Sequence, residues 1–366
     1  SFPTRRSSDL SSPYWRMGIL LALPGMLLTI AGIMVVAHFL TDLSWPLSLA
    51  LAAILAPTDP VLASLVAIND ARDGDRLRIA LSSEAGLNDG TALPFLMLAL
   101  VWYKAGGTIS GDEWLHWLSI DLVWALVGGL LIGFLLGRVI GLAATRSRHA
   151  QGEVAPSDFI ALSLICLSFS LAMSVSASGF LAAFAAGVGL RSAEVSVQKR
   201  HSEEEGHDLP AEMQVNPHTR HALEERNPIK QVGLVIGDAL SFGDTVERLL
   251  AATLVTVLGV TFALHWDATA LMLALIIFVV VRPLSVFILT WRAKESRFHR
   301  ISLGWLGIRG IGSLNYIAYA WVHGLSGVDA NRMADIAITV VTLSVFIHGI
   351  SVTPLLTLRR KREEDQ

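Results

Sequence analysis

Long blocks of apolar residues fill most of this sequence, and they constrain its fold more than any other feature. Many of the blocks approach the ~20 residues that an α-helix needs to cross a bilayer. Short polar segments that carry the charged residues separate them. A chain of this kind must satisfy its backbone hydrogen bonds inside the membrane, and a helix does so within one segment. The sequence therefore predicts an all-α polytopic membrane protein.

Reading the apolar blocks between charged residues predicts about ten transmembrane helices. The expected spans are 17–40, 47–69, 78–102, 117–143, 157–174, 178–191, 237–264, 268–291, 300–322 and 333–357. The turn-forming stretch 174–179 separates two of them and indicates a helical hairpin. The composition agrees, because charged residues make up 16% of the chain, against about 25% in ordinary soluble domains.

The distribution of basic residues predicts the orientation. If the first segment is inside and the spans alternate, most of the 28 Lys and Arg residues lie in inside segments, whereas the outside loops hold Lys104 and Arg332. Cytoplasmic loops of membrane proteins carry such an excess. We therefore expect a multi-pass protein of the cell membrane with both ends of this chain in the cytoplasm. No basic domain stands apart from the membrane blocks, which disfavours a nucleic-acid partner.

The polar segments define the expected domain organisation. Residues 1–13 are predicted to be a non-native or disordered leader, because they lack the apolar stretch of a signal peptide. The transmembrane domain covers 14–358, with a cytoplasmic loop at 192–236 inside it, and 359–366 form a cytoplasmic tail. Four histidines in the loop are candidates for metal binding or pH sensing. A solvated loop is the simpler interpretation.

Five charged residues lie well inside the expected spans, where a charge costs roughly 2.5–3.5 kcal/mol on insertion scales. They are Asp59, Glu84, Asp89, Arg282 and Arg309. Each of them therefore needs a structural or functional role. Glu84 and Asp89 are on one predicted helix and point roughly 140° apart. We expect these two acids to have different partners.

Two of the spans are interrupted by residues that break helices. Asp59 lies in Ala-Pro-Thr-Asp-Pro at 56–60, where each proline removes a backbone donor. The second interruption is a glycine-rich stretch, 304–313, which contains Arg309. A broken helix frees backbone carbonyls that can bind a cation, and its half-helix ends carry partial charges. We expect Asp59 and Arg309 to compensate these ends, with direct cation binding as the alternative for Asp59.

Four further polar residues of the spans carry weaker signals. Ser313 and Asn315 follow the second interruption and are candidates to line it, with helix packing as the alternative. His38 and His348 each lie in an apolar span, and we interpret both as packed or interfacial rather than as proton relays.

The interruptions occupy equivalent positions in two three-helix units, 17–102 and 268–357. Each interruption lies in the middle helix of its unit, and the two units begin on opposite sides of the membrane. Such an inverted repeat is common among secondary transporters, which bind their substrate where the interrupted helices meet. The sequence therefore predicts an inverted-repeat fold with two interrupted, crossing helices.

Four motifs make the chain resemble the monovalent cation:proton antiporter-1 family, which contains the sodium/hydrogen exchangers. The motifs are APTDP at 56–60, SEAGLNDG at 83–90, VRP at 281–283 and GIRG at 307–310. The first two are highly specific in combination, and the resemblance extends from about residue 14 to 358. It implies an inverted-repeat antiporter fold, transport rather than enzymatic activity, no cofactor, and a homodimer for the full-length protein.

The resemblance also implies residue roles. Asp89 is the exchanged carboxylate, Thr58 adds an oxygen ligand through its carbonyl, and Asn88 supports the site. With Asp59, these residues make the expected site for Na+ or another monovalent cation. Glu84 and Arg282 form a buried ion pair that does not titrate, and Arg309 compensates a broken helix.

The implied activity is electroneutral exchange of a monovalent cation, Na+ before Li+ or K+, for H+ by alternating access at a single aspartate. A K+/H+ antiporter and a channel-like protein of related fold are the alternatives. An intramembrane hydrolase is disfavoured, because the chain has no H-E-x-x-H motif. Two features depart from the family. Ala85 stands where members often carry Ser, and roughly three N-terminal spans are missing, so we expect an N-terminally truncated member.

Overall fold

The computed structural model describes residues 13–59, 76–151, 158–201, 228–293, 296–310 and 312–364, and the long regular elements within these ranges are helices. We number the helices α1 to α11. Three helices contain a π-helical segment: α1 is Pro13–Leu20, π-helical Leu21–Gly25 and Met26–Thr41; α4 is Gly111–His116, π-helical Trp117–Trp124 and Ala125–Gln151; and α8 is Thr269–Ile276, π-helical Ile277–Val281 and Arg282–Thr290. The helices before α8 that lack such a segment are α2 (Trp45–Leu55), α3 (Arg76–Lys104), α5 (Asp158–Ser174), α6 (Gly179–His201) and α7 (Pro228–Leu264). The helices after α8 are α9 (Arg297–Trp305), α10 (Gly312–Val322) and α11 (Val328–Glu364).

The helices agree with the expected spans over the described residues, and residues 60–69 of the span expected at 47–69 lie outside them. Within the described ranges, six helices are long and apolar enough to cross a membrane, and they lie in α1, α3, α4, α7, α8 and α11. Shorter apolar helices, Trp45–Leu55 and Ala161–Ser174, lie in α2 and α5. The span expected at 300–322 is the pair α9 and α10, with the interruption between them. The all-α polytopic class is confirmed.

The predicted hairpin at 174–179 is present between α5 and α6. The chain turns there with Ser176 in the left-handed region, at φ 58°. The backbone N–H of Ser178 donates to the carbonyl of Ala125 in α4, at 2.9 Å, which ties the turn to a third helix. Helix continues into both edges of the polar segment expected at 192–236, since α6 ends at His201 and α7 begins at Pro228. The segment 202–227 and residues 1–12 lie outside the described residues.

Close packing of α4 on α6 depends on glycine. At Gly133 and Gly137, one turn apart on α4, an added Cβ would collide with the backbone of Ala182 and Ala186 in α6. Small residues at such spacing let two membrane helices approach closely, since bilayer packing rewards van der Waals contact. Helices α4 and α6 are therefore tightly packed. They belong to the helices that lie between the two three-helix units in the sequence.

The end of α2 and the residues that follow it meet the second interruption in the interior. Every residue of α2 from Pro46 to Leu55 is buried, as expected for a helix that is apolar on all sides. The chain then becomes extended, and Thr58 pairs with Arg309 of the second interruption in an antiparallel bridge. The backbone N–H of Asp59 donates to the carbonyl of Ile308, at 2.9 Å. The crossing brings both interruptions to one buried place.

Candidate functional site

The second interruption supplies the hydrogen bonds that the first helix lacks where it stops. The last carbonyls of a helix have no intrahelical partner. The guanidinium of Arg309 donates to the carbonyl of Ala56, directly after α2. The hydroxyl of Ser313 donates to the carbonyl of Ile54, at 2.8 Å. Because a positive charge is favourable at a helix C-terminus, the fully buried Arg309 side chain stabilises this end of α2.

Asp59 lies on the other side of the crossing, close to the start of α10. Its side chain packs on Gly310, where any Cβ would collide with it. Gly310 precedes α10, which begins at Gly312. An acidic group is favourable near a helix N-terminus. Asp59 thus lies near the start of α10, and Arg309 lies at the end of α2. Each charge is opposite in sign to the partial charge of that helix end.

Asn88 of α3 contacts the first interruption directly. Its Nδ2 donates to the Thr58 hydroxyl at 2.9 Å and to the Thr58 carbonyl at 3.3 Å. The side chain is buried, and its Oδ1 has no hydrogen-bond partner among the described residues. Buried polar atoms are nearly always paired in folded proteins. An unpaired amide oxygen beside an interrupted helix is therefore a free oxygen ligand.

Asp89 follows Asn88 on α3 and is half-buried. Asp59 places a second negative charge within electrostatic range of its carboxylate. The hydroxyl of Tyr316 in α10 donates to the Asp89 backbone carbonyl, and this tyrosine is 2% exposed. The structure therefore holds the Asp89 backbone against α10, the second half of the second interrupted helix, while its carboxylate lies within electrostatic range of Asp59.

Glu84 and Arg282 form a separate buried ion pair, with the guanidinium of Arg282 2.7 Å from the Glu84 carboxylate. Their side chains are 1% and 3% exposed, so neither charge is solvated by water. Gly307 leaves the room that the Arg282 side chain occupies. The pair joins α3 to α8 next to the second interruption, on a different face of α3 from Asp89.

The residues singled out in the sequence lie in two groups. The crossing brings together Thr58, Asp59, Asn88, Asp89, Arg309 and Ser313. Glu84 and Arg282 form the second group. Asn315 is exposed, which removes it from the candidates that line the crossing.

Three features were not anticipated from the sequence. Tyr316 contacts the site, and its position three residues after Ser313, on the same side of α10, is the signal that identifies it. Asp121 is a further acid inside a membrane helix, half-buried in the π-helical segment of α4. Arg191 and Glu194 form a second buried ion pair, at 2.8 Å, within α6.

The site offers oxygen atoms rather than a transition-metal centre. No group of three or more His, Cys, Asp or Glu side chains suited to a metal ion occurs in the described ranges. The oxygen atoms available as cation ligands at the crossing belong to a carboxylate, an amide, a hydroxyl and a backbone carbonyl. Such hard oxygen ligands suit hard cations. Two interrupted helices that cross in a membrane, with these oxygens at the crossing, define a secondary transporter.

The family follows from comparison with known proteins. The family model described as "Sodium/hydrogen exchanger, transmembrane" matches residues 13–358. The chain therefore belongs to the sodium/hydrogen exchanger family, whose members are transporters and not enzymes.

Individual relatives agree with this assignment. Na(+)/H(+) antiporter 2 of Zygosaccharomyces rouxii is 30% identical over 187 residues, which are 48% of this chain and 22% of the relative. Na(+)/H(+) antiporter ApNhaP of Aphanothece halophytica is 37% identical over 76 residues, 20% of this chain and 14% of the relative. The matched part of this chain thus spans less than a quarter of either relative.

A solved structure shows the same fold. The sodium proton antiporter MjNhaP1 from Methanocaldococcus jannaschii at pH 8 superposes with a TM-score of 0.62 and 16% sequence identity. The match covers 93% of this chain and 78% of that structure. The inverted-repeat antiporter fold predicted from the sequence is confirmed.

Proposed function

We propose that this protein is a secondary active antiporter that exchanges a monovalent cation, Na+ first, for H+ across the cell membrane by alternating access at Asp89. The observation that carries the proposal is the position of this carboxylate, half-buried and next to Asn88, whose Oδ1 has no hydrogen-bond partner among the described residues. Membership of the sodium/hydrogen exchanger family supports it. Both ends of the chain are cytoplasmic in this proposal, and the full-length protein is a homodimer.

The cation site consists of oxygen atoms that replace water around the ion. The Asp89 carboxylate supplies the charge, the Asn88 Oδ1 is free to bind, and the Thr58 carbonyl faces the same place. Asp59 adds a second carboxylate nearby. In a poorly solvated site a bare carboxylate is unfavourable, and either a proton or a cation neutralises it. Competition for Asp89 couples the two fluxes.

Charge counting makes the exchange electroneutral. The neighbour of Asp89 on the helix is the neutral Asn88, and Glu84 stays ionised because Arg282 pairs with it. The Asp59 side chain packs on Gly310, just before the start of α10, where a negative charge is favourable. One titrating carboxylate then carries one proton against one cation. In proteoliposomes, an imposed membrane potential should leave the exchange rate unchanged, and a rate that follows the potential would contradict this stoichiometry.

Alternating access requires the unit that carries Asp89 to move against the helices beside it. The contact next to Asp89 is made by α6, whose Phe184 ring packs on Gly86 and whose Leu181 packs on Gly90. Gly86 and Gly90 are one turn apart on α3, on the side of the helix that packs against α6. In this proposal the two helices shift against each other at this contact by the small sliding movements of packed helices.

The test is cation-induced pH change in everted membrane vesicles that contain the protein. In vesicles with an acidified lumen, addition of Na+, Li+ or K+ to the outside should alkalinise the lumen through exchange in the wild type and fail to do so in Asp89→Asn. The matched control is Asp329→Asn, which neutralises an exposed acid at the start of α11. Unchanged exchange in Asp89→Asn would remove Asp89 from its role. Cation flux without a proton counter-flux would identify a channel, and a response to K+ alone would identify a potassium exchanger.

A further inference from the structure

Ser344 of α11 contacts the second interruption in the way that Asn88 of α3 contacts the first. The backbone N–H of Arg309 donates to the Ser344 hydroxyl, at 2.8 Å, and Ser344 is fully buried. Asn88 binds the backbone of Thr58 in the first interruption. Both α3 and α11 are the third helices of their three-helix units. Each third helix therefore supplies one polar side chain to the extended backbone of its own unit.

The Ser344 contact satisfies a donor that has no helical partner. A buried backbone N–H must find an acceptor, and the extended chain at Arg309 offers none within a helix. Arg309 in turn pairs with Thr58 through the backbone bridge and holds the carbonyl of Ala56 through its side chain. Ser344 is thus connected through one residue to the backbone that presents the Thr58 carbonyl.

His348 lies one turn after Ser344, and its Nδ1 reaches both oxygen atoms of that residue. The Nδ1 of His348 is 3.1 Å from the Ser344 hydroxyl oxygen and 2.9 Å from the Ser344 carbonyl oxygen. Because a carbonyl oxygen can only accept, the His348 proton is on Nδ1, and the Ser344 hydroxyl oxygen can accept from the same N–H. The two lone pairs of the hydroxyl oxygen then accept from the Arg309 N–H and the His348 Nδ1–H, which fixes the position of the hydroxyl group. Trp305 and Phe278 pack around the His348 ring, with centroids at 5.2 and 4.9 Å.

The second three-helix unit has a polar contact to its interruption, but no acidic residue follows the polar residue that makes it. Val345 follows Ser344, whereas Asp89 follows Asn88. Ser344 therefore has no neighbouring carboxylate to share with a cation, and its role concerns the backbone. We propose that Ser344, oriented by His348, is a positioning residue that fixes Arg309 and, through it, the Thr58 carbonyl at the cation site. This inference rests on the proposed cation exchange at Asp89.

The experiment is a measurement of apparent cation KM and maximal exchange rate for Ser344→Ala in proteoliposomes with the full chain. Loss of one buried hydrogen bond should raise the KM about fivefold and leave the maximal rate within about twofold. Ser344→Thr, which keeps the hydroxyl, should restore the KM. The matched control is Thr342→Val, because Thr342 is also buried in α11 but its hydroxyl donates at 2.8 Å to the Ile338 carbonyl of its own helix.

The role of His348 is tested by a double-mutant cycle. His348→Leu should raise the KM when Ser344 is present and add nothing in the Ser344→Ala background, since the two side chains act through one contact. An unchanged KM in Ser344→Ala, or an equal rise in Thr342→Val, would overturn the proposal. Failure of the proposed function itself has a different signature, which is cation-driven proton flux that survives Asp89→Asn.

Discussion

Thr58 and Arg309 pair through an antiparallel backbone bridge at the point where the two interrupted helices cross. Each lies in the middle helix of a different three-helix unit, so one short pair of extended segments joins the two units. Neither segment is helical there, and their backbone groups find partners across the crossing instead. In a bilayer, irregular backbone persists only where protein or a water-filled cavity surrounds it. The bridge therefore makes each interruption depend on the other.

Replacing Arg309 should destabilise the protein, because its side chain is fully buried and donates to the end of α2. Arg309→Gln leaves the Ala56 carbonyl without its donor, and an unsatisfied buried group costs about 1–3 kcal/mol. The midpoint of thermal unfolding in detergent should fall accordingly. Arg297→Gln is the control, because Arg297 is exposed at the start of α9 and surface changes stay within about 0.5 kcal/mol. Equal midpoints for the two variants would contradict the capping role of Arg309.

Removing one partner of the Glu84–Arg282 pair should cost more than removing both. Glu84→Leu leaves a buried guanidinium unpaired, and loss of one partner of a buried pair typically costs about 3–5 kcal/mol. The double variant Glu84→Leu/Arg282→Met should recover part of this loss in the same unfolding measurement. If the double variant loses more unfolding free energy than the two single variants lose together, Glu84 and Arg282 do not stabilise the fold as a pair.

Filling the glycine contact beside Asp89 should slow exchange. In Gly86→Ala the new methyl group meets the Phe184 ring of α6, and overpacking of this kind costs typically about 1–3 kcal/mol. Exchange in proteoliposomes should be slower, and Phe184→Ala in the same chain should restore it. Gly259→Ala is the control, since nothing lies within 4 Å of a Cβ at Gly259. A Gly86→Ala protein with wild-type exchange would show that this contact does not move during transport.

Asp267, in the loop between α7 and α8, should stabilise the fold at neutral pH and lose this effect in acid. Burial of Asp267 opposes its charged form, but hydrogen bonds from Thr269 and Arg332 outweigh burial and hold the pKa of Asp267 below its ordinary value. A group with a lowered folded pKa stabilises the fold above its unfolded pKa and loses that effect as the pH falls through the folded pKa.

The measurement compares unfolding midpoints of the wild type and Asp267→Asn at several pH values. Their difference should be largest above pH 3.8, the ordinary pKa of the group, and should shrink at lower pH. Arg332 also donates to the Thr41 carbonyl at the end of α1, so Arg332→Gln should show a difference that persists in acid. A difference between wild type and Asp267→Asn that does not change with pH would exclude titration of Asp267 as its origin.

Local patterns carried much of the prediction. The positions of the spans follow from apolar length, and both interruptions follow from proline and glycine, because these are properties of short segments. The same segments contain Asp89, Asn88 and Thr58, which is why the candidate site is visible in the sequence. Asp121 lies near one end of the expected span 117–143, where polar residues are common, so its position in the sequence gives no signal.

The class of protein, the order of its helices and the pairing of two similar units can be inferred from the sequence alone. Which atoms meet at the crossing depends on how the helices pack. The donation from Arg309 to Ala56, the contact of Tyr316 with Asp89 and the contact of Ser344 with Arg309 join residues on different helices. Each of these contacts depends on how distant helices are rotated and shifted against one another. That relation is set by packing over the whole molecule, and no short stretch of sequence encodes it.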